Sequence, residues 1–318
     1  MNDDDIVFGG VEGGGTNFVM LVGTGPDRVI DEHRIRTTTP DETLEQVVAF
    51  LRQPRPGLTL GAVGVSSFGP VDLDPASPTY GYITTTPKEG WPNTPLLPIL
   101  HEKLGLPIAI DTDTNGAALA ERRWGAGAGC DPLLYITVGT GIGGGLMVGD
   151  RLIHGLLHPE VGHLLMPVFE GDDFAGACRF HGRCLEGLAS GTAIEARTGR
   201  RAEDIDPDDA VWDGVAYYLA HGLTSMLLTA SPQRIIVGGG VATVPRLLDR
   251  VRAHMLRMNA GYIDKQELTE KGIAAYVVAP GVRLRSPETG KMVNRSGAIG
   301  AIELARRAYE APIHNPVI

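Results

Sequence analysis

Cysteine is scarce in this sequence: three residues in 318, too few for a disulfide framework. Aromatic residues make up only 6%. No apolar run approaches the roughly 18 residues needed to span a bilayer. The amino-terminal stretch MNDDDIV is acidic and lacks the basic start and apolar core of a secretory leader, so a cytoplasmic location is expected. Positive charge is in deficit, with 28 Lys and Arg against 38 Asp and Glu and a net charge of −10, which argues against a nucleic-acid surface. The G-x-x-x-x-G-K-[ST] phosphate loop is absent. A phosphate site stays open all the same, because a few backbone N–H groups bind an anion whatever the global charge.

The length suits two packed α/β lobes rather than one core. Glycine is abundant, 43 residues, and clusters between apolar, strand-like runs rather than in linkers. IVFGGVE (6–12), NFVMLVG (17–23) and DRVIDEHRIRT (27–37) read as three strands joined by glycine-bearing turns. A helix follows from Pro40 and Asp41, with Leu44, Val47, Val48 and Leu51 on one face. LGAVGVSS (60–67) and PIAIDTD (107–113) read as buried strands, and NGAALAERRWG (115–125) as a helix. The order then restarts with LLYITV (133–138), the turn GTGIGGG (139–145) and a hairpin over 146–155. GPDRVI in the first half is echoed by VGDRLI in the second. This weak repeat predicts two related lobes. A long apolar helix is expected near 211–230, a strand at RIIVGGG (234–240), and an amphipathic helix carrying Leu248, Val251, Met255 and Met258. A closing helix is expected near 297–310.

GTGIGG satisfies G-x-G-x-x-G and follows a strand, but the next residues are β-like, so the dinucleotide-binding reading fails. Glycines in a strand–turn–strand unit instead let backbone N–H groups converge on an anion, because no Cβ blocks the approach. Thr16 and Thr140 add hydroxyls. Asp111, Asp113 and Asn115 end an apolar strand just before a helix, the edge where open α/β sheets bind ligands. Capping of that helix by Asp113 or Asn115 is the plainer reading of the same residues. Phosphoryl transfer to an alcohol needs a base within reach of the hydroxyl proton.

Cys178, His181 and Cys184 fall within seven residues, and His163 lies shortly upstream. Together they make Cys2His2, the ligand set of closed tetrahedral zinc sites. With no evident open position, the metal is expected to be structural. It would hold a loop that carries Glu160, His163 and Glu186, which offer hydrogen-bonding groups to a polyol. Cys130 stands apart as a free thiol.

Taken together, these residues resemble the ROK family of bacterial sugar kinases, of the actin-like, hexokinase-like ATPase superfamily. The resemblance covers nearly the whole chain. VEGGGTNF is similar to the first phosphate motif and ITVGTGIGGG to the second. TDTN matches the block whose Asp falls on Asp113. HPEVGH followed by CRFHGRCLEGLASG resembles the E-x-G-H and zinc signature, and RIIVGGGV the adenosine-side motif. SSFGPVDL, YGYITTTPKEGW and C-x2-H-G-x-C are most similar to the fructokinase branch.

The resemblance implies a two-lobed ribonuclease H-like α/β fold. It places a small lobe over 1–115, completed by a C-terminal helix over 298–318. A large lobe would span 116–297, with a zinc loop over 160–191. It implies transfer of phosphate from ATP to a hexose hydroxyl, with D-fructose to fructose 6-phosphate the leading expectation and mannose or glucose as alternatives. Asp113 would be the general base. Glu160, His163, Glu186 and Asn115 would hold the sugar. Gly14, Gly15, Thr16, Gly139, Thr140, Gly141, Gly239 and Gly240 would line the nucleotide. His163, Cys178, His181 and Cys184 would bind zinc (Zn2+), magnesium (Mg2+) would bridge ATP oxygens, and the protein would be a homodimer.

Three positions depart from the family pattern: Glu12 for the usual Asp, Asn17 for the usual Lys, and Thr112 for the usual Asn. The basic segment 282–297 is longer than the family's loop and is expected to be a surface insertion. A sugar-sensing repressor of the same family is disfavoured, because the first strand begins near residue 6 and leaves no room for a helix-turn-helix. An actin-like assembly protein would leave the glutamates and the zinc loop unexplained.

Overall fold

A strand, a glycine turn and two more strands open each half of the chain in the structure, a computed structural model that describes residues 5–311. Residues 1–4 and 312–318 lie outside the described residues; the latter include the expected end of the closing helix. The first elements are β1 (Ile6–Gly13), β2 (Asn17–Gly25), β3 (Arg28–Arg36), α1 (Pro40–Leu51), β4 (Thr59–Ser67), α2 (Leu96–Leu104), β5 (Ile108–Thr112) and α3 (Asp113–Trp124). The middle of the chain forms β6 (Leu133–Val138), β7 (Ile142–Val148), β8 (Arg151–Leu152), α4 (Leu185–Ala189), α5 (Gly191–Thr198), α6 (Val211–Ala230), β9 (Arg234–Gly238), α7 (Leu247–Asn259), α8 (Ile273–Tyr276) and β10 (Val277–Val278). The hairpin β11 (Arg283–Arg285) and β12 (Met292–Asn294) leads into α9 (Ser296–Glu310).

The chain divides into two compact units. Among the described residues, the first holds 5–125, the short segment His154–His158, and 281–311. The second holds Ala126–Ile153 and Pro159–Pro280. Each contains a five-stranded mixed sheet, ordered β3-β2-β1-β4-β5 in the first and β10-β9-β6-β7-β8 in the second. In both, three antiparallel strands are extended by parallel ones. The internal repeat read from the sequence is therefore a repeat of sheet topology.

In the first unit, strand alternation divides the apolar residues between two faces. Val7, Val11, Met20 and Val22 pack with Leu44, Val47 and Leu51 of α1 and with Trp91. Ile6, Phe8, Val19 and Leu21 pack with Ala298, Ile299 and Ile302 of α9. That second layer is unusually close. A Cβ on Gly64 of β4 would stand 1.8 Å from the carbonyl oxygen of Ala301, and one on Gly300 of α9 would stand 1.8 Å from that of Gly116 in α3. Glycine at both places lets α9 lie against the sheet and against α3 in backbone contact. The start of α9 comes to Glu12, since a Cβ on Gly297 would meet its Oε1 at 2.3 Å.

In the second unit, Leu134, Ile136 and Val138 of β6 form one core with Trp212, Leu219 and Leu223 of α6 and with Val251 and Met255 of α7. The 282–297 segment is the ordered hairpin β11–β12 and the first residues of α9. Leu284 packs beside the α9 layer. Arg295 holds Glu32 of β3 at 2.6 Å. Among the described residues, no helix is long and apolar enough to cross a membrane.

Candidate active site

In the first unit, β5 runs into α3 without a loop. The cap is Thr112, whose hydroxyl accepts the Asn115 backbone N–H at 3.2 Å. Neither Asp113 nor Asn115 performs that task, which leaves the Asp113 side chain for other work. One Asp113 oxygen accepts the Thr114 N–H at 2.8 Å. Beyond it lies Glu12 at the end of β1. Burial and the charge of Asp113 push the Glu12 carboxyl up to about 7, while Arg295 and the Ala298 amide at the start of α9 pull the other way. Two carboxylates thus meet at the first turns of two helices, where N-terminal dipoles favour negative charge.

The β1–β2 turn beside them is pinned from behind. The Thr37 hydroxyl donates to the Gly14 carbonyl at 2.6 Å, and the Thr37 amide donates to the Thr16 carbonyl at 3.0 Å. Gly15 and Thr16 are exposed at the tip, and a Cβ on Gly15 would meet nothing within 4 Å. With both carbonyls turned to Thr37, the tip is open to an approaching anion.

Asn115 is fully buried. Its Nδ2 donates to Asp111 Oδ1 at 2.6 Å, and its Oδ1 is buried without a partner among the described residues. The structure thus gives Asn115 a neighbour that sequence reasoning did not foresee. A second unforeseen group is His154, whose Nε2 lies 3.0 Å from Asp111 Oδ2. Its imidazole pKa is raised by the hydrogen bond to Asp111, against the effect of burial. The only sequence signal was the spacing of His154 and His158 in HGLLH, which is too common to mark a site.

In the second unit, the β6–β7 turn is held by the start of α5. Gly191 N–H donates to the Gly139 carbonyl at 2.7 Å, and the Thr192 hydroxyl donates to the Thr140 carbonyl at 2.8 Å. Glu186 of α4 supports the other side, accepting the Ile142 N–H at 2.9 Å. The turn after β9 closes on the same place. Gly239 has φ +89°, and a Cβ there would stand 2.3 Å from the Val138 carbonyl oxygen. Gly139, Thr140, Gly141, Gly239 and Gly240 therefore gather at one end of the second sheet. Gly139 and Gly240 have open space where a Cβ would project.

The four sulfur and nitrogen side chains also converge. Ligand atoms of His163, Cys178, His181 and Cys184 all lie within 4.8 Å of one another. His163 Nδ1 is 3.5 Å from Cys184 Sγ and 3.8 Å from Cys178 Sγ, and His181 Nδ1 is 3.8 Å from Cys178 Sγ. A tetrahedral zinc with bonds of about 2.0–2.3 Å has ligand–ligand edges of roughly 3.3–3.8 Å, the size of these three separations. Burial and neighbouring Cys178 and Glu186 push the Cys184 thiol up to about 11, while the Gly187 N–H pulls the other way; metal binding would have to displace its proton. The other ring nitrogen of His163, Nε2, lies 3.9 Å from Glu160. Burial and the charge of Glu186 raise the Glu160 carboxyl to about 7. The second unit thus assembles Glu160 and Glu186 beside the candidate metal ligands His163, Cys178, His181 and Cys184.

The ROK family model matches residues 8–308. The chain is 40% identical over 314 residues to a fructokinase of Zymomonas mobilis subsp. mobilis, covering 97% of this chain and 99% of that protein. It is also 40% identical over 269 residues to a fructokinase of Lactococcus lactis subsp. cremoris, covering 84% and 90% respectively. Among solved structures it is similar to a ROK family glucokinase from Streptomyces griseus in complex with glucose and AMPPNP. The TM-score is 0.72 at 26% identity, covering 95% of this chain and 99% of that one.

Proposed function

The chain belongs to the ROK family, and from that premise we propose that it is an ATP-dependent sugar kinase that converts D-fructose to fructose 6-phosphate. The observation that carries this reading is the 40% identity to fructokinases over nearly the full chain. The Glu12–Asp113 carboxylate pair and the two glycine turns supply fitting chemistry. Asp113 is the general base. As the 6-hydroxyl oxygen attacks the terminal phosphorus of ATP, its O–H proton passes to the Asp113 carboxylate. The bond from phosphorus to the ADP oxygen breaks, and ADP leaves with the electron pair.

Glu160, His163 and Glu186 bind sugar hydroxyls, and Asn115 supports the substrate end of α3. Gly14, Gly15 and Thr16, with Gly139, Thr140 and Gly141, present amides and hydroxyls to phosphate oxygens. Gly239 and Gly240 make room for the nucleoside. A divalent cation, Mg2+ in this reading, would offset charge on the ATP oxygens when bound. His163, Cys178, His181 and Cys184 would hold Zn2+, which would fix the loop that bears Glu160 and Glu186. The protein works in the cytoplasm as a homodimer. The test is purified protein with ATP, Mg2+ and a panel of fructose, mannose, glucose and N-acetylmannosamine. Fructose should give the highest kcat/KM. ATP turnover that no sugar accelerates would overturn the assignment.

A further inference from the structure

Asp113 is flanked along the chain by a buried charge that the reaction does not use. Asp111 is 3% exposed. Its Oδ1 accepts the Thr112 N–H at 2.7 Å and the Asn115 Nδ2 at 2.6 Å, and its Oδ2 faces His154 Nε2 at 3.0 Å. His154 Nε2 is also 3.3 Å from Asn115 Nδ2. The Asp111 carboxylate can only accept, so Nε2 carries the ring proton and donates it to Asp111, and the Asn115 amide, itself a donor, does not bond that nitrogen. His154 belongs to the five-residue segment His154–His158, which is part of the first unit although the chain on either side belongs to the second. His158 anchors the other end: it is 7% exposed, and its Nε2 accepts the Val71 N–H at 3.4 Å. Leu156, between them, is fully exposed. A segment held at both ends by histidines, with a leucine left in solvent between them, is placed for the sake of the histidines.

We propose that His154 is a positioning residue for phosphoryl transfer, whose imidazolium neutralises Asp111 and thereby keeps Asp113 ready to accept a proton. The inference rests on Asp113 being the general base. Residues two apart have Cα atoms within about 7 Å of each other. An uncompensated like charge at that range moves a titration by about one pH unit. The ionisable groups around the pair are Asp111 on β5, His158 on the same segment, Tyr80 from the loop before α2, and Asp113 with Glu12 beyond it. Burial drives His158 toward its neutral form; Asp111 opposes this, and the charge of His154 adds to it. Burial and Asp111 push the Tyr80 phenol up. His154 is therefore the group in this set that carries the compensating positive charge. The same pair also braces Asn115 in the first turn of α3, so charge and geometry act on one helix start.

The experiment compares pH profiles of kcat/KM for fructose in the wild type, His154→Gln, His154→Lys and the double variant His154→Gln/Asp111→Asn. Glutamine keeps a donor without the charge, and lysine keeps the charge. For His154→Gln the acid limb should move up by about one pH unit, with roughly tenfold lower kcat/KM below the limb and little change in KM for ATP. The double variant should bring the limb back, and His154→Lys should leave it near the wild-type position. An unmoved limb in His154→Gln, or a limb moved equally by Lys and Gln, overturns the proposal. If His154→Gln does not fold, His154→Asn, which likewise lacks the charge, takes its place under the same criteria. Asp113→Asn is assayed alongside. A dead Asp113→Asn with an unmoved His154→Gln limb removes only the positioning role, whereas an active Asp113→Asn removes the base assignment as well.

Discussion

His163 Nδ1 lies 3.5 Å from Cys184 Sγ, while Nε2 of the same ring lies 3.9 Å from Glu160. One imidazole thus lies between the candidate metal ligands and a carboxylate proposed to hold the sugar. Cys184→Ser should lower bound zinc to well below one equivalent and raise KM for fructose about tenfold or more, with KM for ATP less affected. Metal analysis and steady-state kinetics on the same preparation check this. Full activity without zinc would separate the loop's function from its metal.

Glu12 makes the protein's stability depend on pH in the unfavourable direction. Its folded-state value of about 7 lies above the ordinary 4.5. Between those values the folded state holds a proton that the unfolded state has released. Stability therefore falls as pH rises through this window and stays lower above it. Glu12→Gln should remove that loss and stabilise the ligand-free protein at pH 8 by about 1–3 kcal/mol, while lowering activity. Denaturant melts at pH 5 and pH 8 measure the difference, which should be large only at the higher pH.

Gly239 combines φ +89° with a 2.3 Å approach of a built Cβ to the Val138 carbonyl. Gly239→Ala should cost about 1–3 kcal/mol of stability. It should also raise KM for ATP more than KM for fructose, because the turn adjoins the Gly139–Gly141 amides. Thermal melts and a two-substrate kinetic matrix test the pair of effects.

The sequence was legible where periodicity and turn chemistry agree. β1 and β2 are short, almost continuously buried apolar runs bounded by glycine turns, α1 announces itself with Pro40, Asp41 and an i, i+3, i+4, i+7 stripe, and α6 spans the expected 211–230. The Cys178-x2-His181-x2-Cys184 spacing identified the cluster that the fold brings together. Other elements carried no such mark. α2 holds Pro98 in its first turn and only two buried residues, Leu96 and Leu100. α4 and α5 are short and meet at Ser190, which ends one and caps the other. The Gly64–Ala301 and Gly300–Gly116 approaches, and the docking of His154 on Asp111, depend on residues far apart in the chain. A single sequence shows the glycines and histidines but not their partners.

Asp113→Asn tests the account at its centre. The substitution is nearly isosteric and leaves the Thr112 cap untouched, so α3 should stay intact. With ATP and fructose supplied together and fructose 6-phosphate followed by phosphorus NMR, the account predicts a loss of about 10²–10⁴ in kcat with ATP affinity retained. Wild-type product formation by the Asn variant would contradict it.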